Sequence, residues 1–226
     1  MFTGIIQAIG EVAAVAPKGE DRRLRIATGK LDLADVALGD SIAVDGVCLT
    51  VVDLPGDGFQ ADVSAETLRC TALRDVRAGR RVNLEKALTP TTHLGGHLVS
   101  GHVDGLGEVV RRYSEGRSER FVMRAPDELA RYIAAKGSIC INGISLTVNS
   151  VSGAEFMLNI VPHTLQETTM GALQAGDVVN LEIDIIARYL ERLLLGEAAA
   201  DPQATLAGGS AGISEALLRR SGFIKS

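Results

Sequence analysis

The sequence predicts an all-β protein in which one small barrel or sandwich is built twice. Three observations carry that expectation: a self-match at one constant offset, short apolar segments separated by turn residues, and no alternation of strands with long helices of the kind that builds parallel sheets. At an offset of 97 residues, Gly10-Glu11-Val12 falls on Gly107-Glu108-Val109, and Gly46-Val47-Cys48-Leu49-Thr50-Val51 falls on Gly143-Ile144-Ser145-Leu146-Thr147-Val148. Thr67-Leu68 falls on Thr164-Leu165, and the longest echo sets Val82-Asn83-Leu84-Glu85 on Val179-Asn180-Leu181-Glu182. A register held without gaps over about ninety residues is more than shared composition produces, so the halves share one fold.

Within each half the elements follow in order. Ser41-Ile42-Ala43-Val44 leads through Asp45-Gly46 into Cys48-Leu49-Thr50-Val51-Val52, and Asn142-Gly143 repeats the device; both dipeptides suit a tight hairpin because Gly accepts positive φ. Phe59 to Val63 and Phe156 to Ile160 are matching strands, and Val82-Asn83-Leu84 and Val179-Asn180-Leu181 close each half. Short helices are expected between them, the clearest starting at Pro126-Asp127-Glu128 and running through Leu129 to Ala135. Beyond Asp184 the repeat ends. Ile185 to Leu195 carries apolar residues over more than half a helical face, too many for a free helix, so it is expected to pack on the barrels or on another chain. The stretch 198–226, with Asp201-Pro202 and Gly208-Gly209, reads as a flexible tail in which 213–218 forms at most a marginal helix.

Length and composition bound the function. A chain of 226 residues can bury two small cores, and 46% hydrophobic with 23% charged residues is a globular balance. A net charge of -5 argues against nucleic-acid and anionic-membrane partners, which reward a concentrated basic field. Arg22-Arg23-Arg25 and Arg111-Arg112 read as solvated strand ends. No membrane-length apolar run and no basic leader occur, and Cys48, Cys70 and Cys140 are odd in number and far apart; the expectation is a cytoplasmic protein without a disulfide scaffold.

The junction Gly95-Gly96-His97-Leu98-Val99-Ser100-Gly101-His102-Val103 holds two of the four histidines. Without a cysteine or carboxylate pair beside them the spacing does not make a zinc site. Hydrogen bonding to a polar ligand or proton transfer is open to them, as is the plainer role of turn histidines satisfied by backbone groups. Cys48 lacks a neighbour that would lower its pKa, and its duplicate is Ser145; a small polar residue pointing inward, followed two positions later by Thr50 or Thr147, reads as a pocket wall or as a buried strand residue rather than a nucleophile. No phosphate-cradling glycine motif is present.

Four segments taken together, Met1-Phe2-Thr3-Gly4-Ile5-Ile6, Asp45 to Val51, the Gly95 to Val103 junction and Asn142 to Val148, closely resemble the riboflavin synthase family. The resemblance covers about residues 1–190, in order. It implies two tandem six-stranded Greek-key β-barrels at 1–97 and 98–184, each binding one lumazine, a trimerisation helix at 185–197, and active sites formed where the N-terminal barrel of one chain meets the C-terminal barrel of another. It implies no cofactor and no metal, 6,7-dimethyl-8-ribityllumazine as substrate, a homotrimer, and a lumazine synthase capsid as a partner to consider.

Carried over residue by residue, the resemblance implies one pocket of Cys48, Leu49, Thr50, Asp62, Val63, Ser64, Ala65, Glu66, Thr67, Gly101, His102 and Val103, with Lys136 entering from a neighbouring chain. The other is Gly4, Ile5, Ile6, Ser145, Leu146, Thr147, Asn159, Ile160, Val161, Pro162, His163 and Thr164; His163 stands where the family commonly has an acidic residue. Gly4 and Gly101 are repeat equivalents, so the opening segment of each half is expected in the pocket of the other.

The implied reaction passes a four-carbon unit between two identical molecules, so donor and acceptor need different surroundings. The duplication supplies them: Cys48 faces Ser145, His102 faces Ile5, Ser64 faces Val161 and Asp184 faces Ala87. The pteridine delocalises the charge left by deprotonating its 7-methyl group, which leaves the protein to align two rings and move protons. Ser41, Cys48, His102 and Asp184 are the candidates for that. Two rivals are a lumazine or flavin carrier using one barrel, which would lose the pocket pattern in one repeat, and a ligand-free assembly module, which would not need paired polar residues at a fixed offset.

Overall fold

The structure, a computed structural model, describes residues 1–201. Alternation of apolar and polar residues builds two closed antiparallel barrels of six strands each. The first contains β1 (Ala8–Lys18), β2 (Asp21–Ala27), β3 (Ser41–Val44), β4 (Val47–Asp53), β5 (Gly58–Val63) and β6 (Arg81–Lys86), with α1 (Ala65–Cys70) and a 3-10 turn between the last two. The second repeats it as β7 (Gly105–Glu115), β8 (Ser118–Arg124), β9 (Ser138–Ile141), β10 (Ile144–Ser152), β11 (Glu155–Ile160) and β12 (Val178–Ile183), with α2 (Pro162–Glu167). Around both barrels the strands run in the same order, β1-β2-β5-β4-β3-β6 and its counterpart β7-β8-β11-β10-β9-β12.

Inward residues at period two fill each barrel. Leu24, Ile26, Ile42, Val44, Leu49, Val51, Phe59 and Leu84 pack in the first, and Phe121, Met123, Ile139, Ile141, Val148, Phe156, Leu158 and Leu181 in the second. The register of β1 on β2 slips between Val12 and Ala14, and that of β7 on β8 between the equivalent Val109 and Arg111. Such bulges sharpen strand bending, which closure of so small a barrel requires. The Asp45-Gly46 and Asn142-Gly143 hairpins have positive φ at both central residues, the geometry whose twist matches antiparallel strands.

One local expectation is corrected. The segment from Pro126 makes a 3-10 turn, Asp127–Tyr132, and no helix reaching Ala135. The chain must turn into β9, and Lys136 does so in a left-handed conformation (φ 67°), its N–H donating to Val148 O at 2.7 Å.

The barrels meet across the outer faces of β3, β4 and β6 and of their counterparts. Asn83 and Asn180, each 1% exposed, tie them symmetrically. Asn83 donates to Asn142 O at 2.9 Å and accepts from Thr169 N at 2.8 Å; Asn180 donates to Asp45 O and accepts from Ala72 N, both at 2.8 Å. Phe2 and Val99 pair in one antiparallel bridge within the interface, packed with Ala43 and Cys140.

The last helix, α3 (Ile185–Leu195), buries none of its own residues; Ile186, Tyr189, Leu190, Leu193 and Leu194 recur at helical spacing and are all exposed. A 3-10 turn, Gly196–Ala200, follows it. Of the expected tail, everything from residue 202, including the marginal helix at 213–218, lies outside the described residues.

Candidate active site

The opening segments of the two halves cross. Cys48 N donates to Gly101 O at 2.9 Å, and Ser145 N donates to Gly4 O at 2.8 Å. Each half thus lays its first residues on the hairpin of the other. Both glycines have positive φ, 75° at Gly4 and 80° at Gly101. A Cβ on Gly101 would stand 2.7 Å from Cys48 Cβ, and one on Gly4 would stand 2.6 Å from Ser145 Cβ, so the close approach needs glycine twice over.

In the first barrel this crossing walls a cavity of about 300 Å³ lined by Cys48, Glu66, Thr67, Cys70, Gly101, His102 and Val103, a size within the range of small-molecule sites. Ser64 caps α1, accepting from Thr67 N, and its hydroxyl lies 3.0 Å from the Thr67 hydroxyl. Asp62 is held by Arg23 and Lys18, whose hydrogen bonds, and then their charges, keep its carboxyl well below the usual range. The inward orientation expected for Cys48 is not found. Leu49 and Val51 point into the barrel, so Cys48 and Thr50 lie on its outer face, where the opening segment of the second half covers Cys48. Leu49, Val63 and Ile160 turn their side chains into the barrel cores, leaving only their main chain to a ligand.

In the second barrel the equivalent surface carries Gly4, Ile5, Ile6, Ser145 and Thr164, with Val161 as N-cap and Pro162 as first residue of α2. Ile5 is exposed, as are Thr147, Asn159 and His163. The polar chemistry differs from that of the first barrel. His97, 8% exposed, lies with Nδ1 2.7 Å from Ser145 Oγ, while its N–H donates to Thr3 O. Its Nε2 is buried with no partner. Burial lowers the His97 pKa, and the Asp184 carboxylate opposes that shift.

Ser41 shares the outer face of β3 and β4 with Cys48, opposite Thr50, but opens on a separate hollow of about 150 Å³ beside Lys86 and Ala87. Lys136 is exposed. Among the described residues no cluster of three or more His, Cys, Asp or Glu side chains is placed to hold a metal ion, and no helix is long and apolar enough to cross a membrane. A larger cleft of about 650 Å³ between the barrels contains none of the expected site residues; its Arg80 is engaged by Asp45 and Ala72 O, and its Arg112 by Glu119 and two carbonyls.

Two residues that the sequence left unmarked anchor the two opening segments. Glu85 accepts from Thr3 N, Thr3 Oγ1 and Gly4 N at 2.7, 2.6 and 2.9 Å. Glu182, its duplicate, accepts from Ser100 N and Oγ, both at 2.6 Å, from Gly101 N at 3.0 Å and from His102 N at 3.1 Å. Burial raises both carboxyl pKa values and these hydrogen bonds oppose it. The available signal was the Asn-Leu-Glu echo, which repeats polar residues at positions that closing strands would otherwise vary.

Comparison with known proteins agrees with this arrangement. The lumazine binding domain family matches twice, at residues 3–87 and 100–184. The riboflavin synthase of Photobacterium phosphoreum is 48% identical over 224 residues, 99% of this chain and 100% of that protein. That of Brucella abortus (strain 2308) is 50% identical over 198 residues, covering 85% of this chain and 98% of that protein. Among solved structures, LumP complexed with riboflavin superposes with a TM-score of 0.74 at 29% identity, over 81% of this chain and 99% of that one. LumP complexed with 6,7-dimethyl-8-(1'-D-ribityl) lumazine gives 0.72 at 27% identity, over 80% of this chain and 98% of that one. A doubled domain match and near-half identity over almost the full length, on twin barrels, place this chain in the riboflavin synthase family, with two lumazine-binding domains.

Proposed function

We propose that the chain catalyses the dismutation of two 6,7-dimethyl-8-ribityllumazine molecules to riboflavin and 5-amino-6-ribitylaminouracil, the final step of riboflavin biosynthesis. The observation that carries this reading is the repeated crossing of Gly101 on Cys48 and of Gly4 on Ser145 with unlike polar groups beside it: His102 lines the cavity with Cys48, and His97 lies against Ser145. Two copies of one substrate bind in like surroundings, and the unlike groups separate the molecule that loses a methyl proton from the one that is attacked. Aligning the two rings removes several kcal/mol of barrier by proximity. The buried His97, with its ring against Ser145 and its Nε2 unpartnered, joins His102, Ser41, Cys48 and Asp184 as a candidate for proton transfer or for placing a water.

The active species is a homotrimer in the cytoplasm, with α3 at the contact between chains and Lys136 of one chain reaching the Cys48 pocket of the next. The exposed apolar stripe of α3 supports the assembly, since five large apolar residues on one surface favour a partner. A lumazine synthase capsid is the natural further partner for such a trimer.

The carrier reading is favoured by the likeness to LumP in its ligand complexes, but that likeness is 27–29% identical against 48–50% for the synthases, and both repeats here keep their polar residues. The test is incubation of the purified protein with 6,7-dimethyl-8-ribityllumazine alone, following riboflavin by absorbance and the uracil by chromatography. Equimolar products establish the reaction; tight binding without turnover moves the assignment to the carrier. Replacing His102 by Gln and Asp184 by Asn should each lower kcat by about 100-fold, the scale of a lost proton-transfer group; unchanged turnover in both would remove those two from the chemistry.

A further inference from the structure

Two buried carboxylates, one in each barrel, sit in equivalent cups of backbone N–H groups. Glu85 and Glu182 are 3% and 4% exposed, and among the described residues no ion pair with a cationic side chain holds either of them. Each accepts hydrogen bonds from a turn: Glu85 from the N–H groups of Thr3 and Gly4 and the Thr3 hydroxyl, Glu182 from those of Ser100, Gly101 and His102 and the Ser100 hydroxyl. Successive N–H groups converging around a left-handed glycine form an anion-binding concavity, and here the anion is a side chain of the same chain.

The glycine at the centre of each cup faces two ways. Its N–H points to the carboxylate of its own barrel, and its carbonyl accepts from the hairpin of the other. The path in one direction is Glu182, Gly101, Cys48, and in the other Glu85, Gly4, Ser145. The cup of Glu182 also holds the N–H of His102, which lines the pocket of the first barrel. The cup of Glu85 fixes Thr3, whose carbonyl accepts from His97 N, and His97 in turn meets Ser145 in the second barrel.

We infer that Glu85 and Glu182 are crossed positioning residues: each carboxylate, anchored in one barrel, sets the geometry of the pocket in the other. Neither touches a ligand site itself, and each acts through a glycine and a histidine. The inference deepens the proposed reaction and rests on it for the importance of the two pockets, but its structural content is independent of turnover.

The test uses the four histidines of the full-length protein as reporters, by imidazole NMR of the ligand-free protein. Glu182→Gln should move the His102 signals while His97 moves less, and Glu85→Gln should do the reverse. Gln keeps the length but turns an N–H group toward donors, so the cup cannot close. Should either Gln variant fail to fold, Ser100→Ala and Thr3→Val, which each delete one hydroxyl donor to the same carboxylate, should give the same crossed pattern at smaller size. In kinetics with the lumazine substrate, each Gln variant should lose about tenfold or more in kcat with a smaller change in KM, as expected for displaced reacting groups. Histidine signals unmoved by all four substitutions, or moved in the same-barrel pattern, would overturn the inference. The crossed pattern without any activity in the wild type would keep the inference and remove the reaction.

Discussion

Asn180→Ala should destabilise the pair of barrels by about 2–5 kcal/mol. The wild-type side chain donates to Asp45 O and accepts from Ala72 N, both at 2.8 Å, and is 1% exposed. Alanine removes two hydrogen bonds and leaves a carbonyl and an N–H buried between the barrels; each orphaned group costs about 1–3 kcal/mol, and a bond that finds water costs less. Asn83→Ala should cost a similar amount, because it strips the equivalent bonds to Asn142 O and Thr169 N. Asn180→Asp separates hydrogen bonding from packing: it keeps the shape and the acceptor for Ala72 N but sets an oxygen against Asp45 O, so it should recover little of the loss. The assay is guanidinium denaturation followed by far-UV circular dichroism, reading the change in midpoint at constant slope. Alanine variants within about 0.5 kcal/mol of wild type, the usual range for a surface change, would refute the view that these side chains hold the barrels together.

Three further outcomes follow from the geometry. Gly101→Ala should lose lumazine binding in the first barrel and about 2–4 kcal/mol of stability, combining a left-handed backbone with a Cβ 2.7 Å from that of Cys48; fluorescence titration and denaturation measure the two effects. The lowered pKa of buried His97 means the unfolded chain binds its proton first, so its contribution is complete above the ordinary value of 6.5 and falls away as pH drops below it; His97→Gln should flatten the stability profile below that value. A chain ending before Ile185 should sediment as a monomer and lose turnover, and a fully active monomer would refute the interchain site.

The duplication and the all-β character were legible because both are written in one-dimensional periodicities: a constant offset, and alternation at period two between turn dipeptides. Which face a residue occupies was less legible. On β4 the polar residues Cys48 and Thr50 alternate with Leu49 and Val51, and the outer face is itself partly covered, by residues about fifty positions away, so burial no longer distinguishes inside from outside. The same covering hid Glu85 and Glu182. On an isolated strand an outward glutamate reads as solvated, and only the arrival of a turn from its own barrel's opening segment makes it a buried anion. His97 was visible as a junction residue, but its link to Ser145 spans 48 positions and no local pattern encodes it. The expected helix at 126–135 failed for a related reason, since the hydrogen bond of Lys136 to Val148 competes with continuation of the helical turn.

The crossing of the opening segments also bears on how such a chain could arise. A polypeptide with one repeat would lack the turn that walls its own pocket, and two copies could complete each other only by exchanging their first six residues. Fusing the copies end to end turns that exchange of arms into an intramolecular arrangement, fixes their ratio at one to one, and frees each copy to diverge. Cys48 and Ser145, or His102 and Ile5, could then become different without either half losing its partner. In this light the inequality of the two pockets is a product of covalent linkage, since a symmetric pair of separate chains would have had to change both pockets at once.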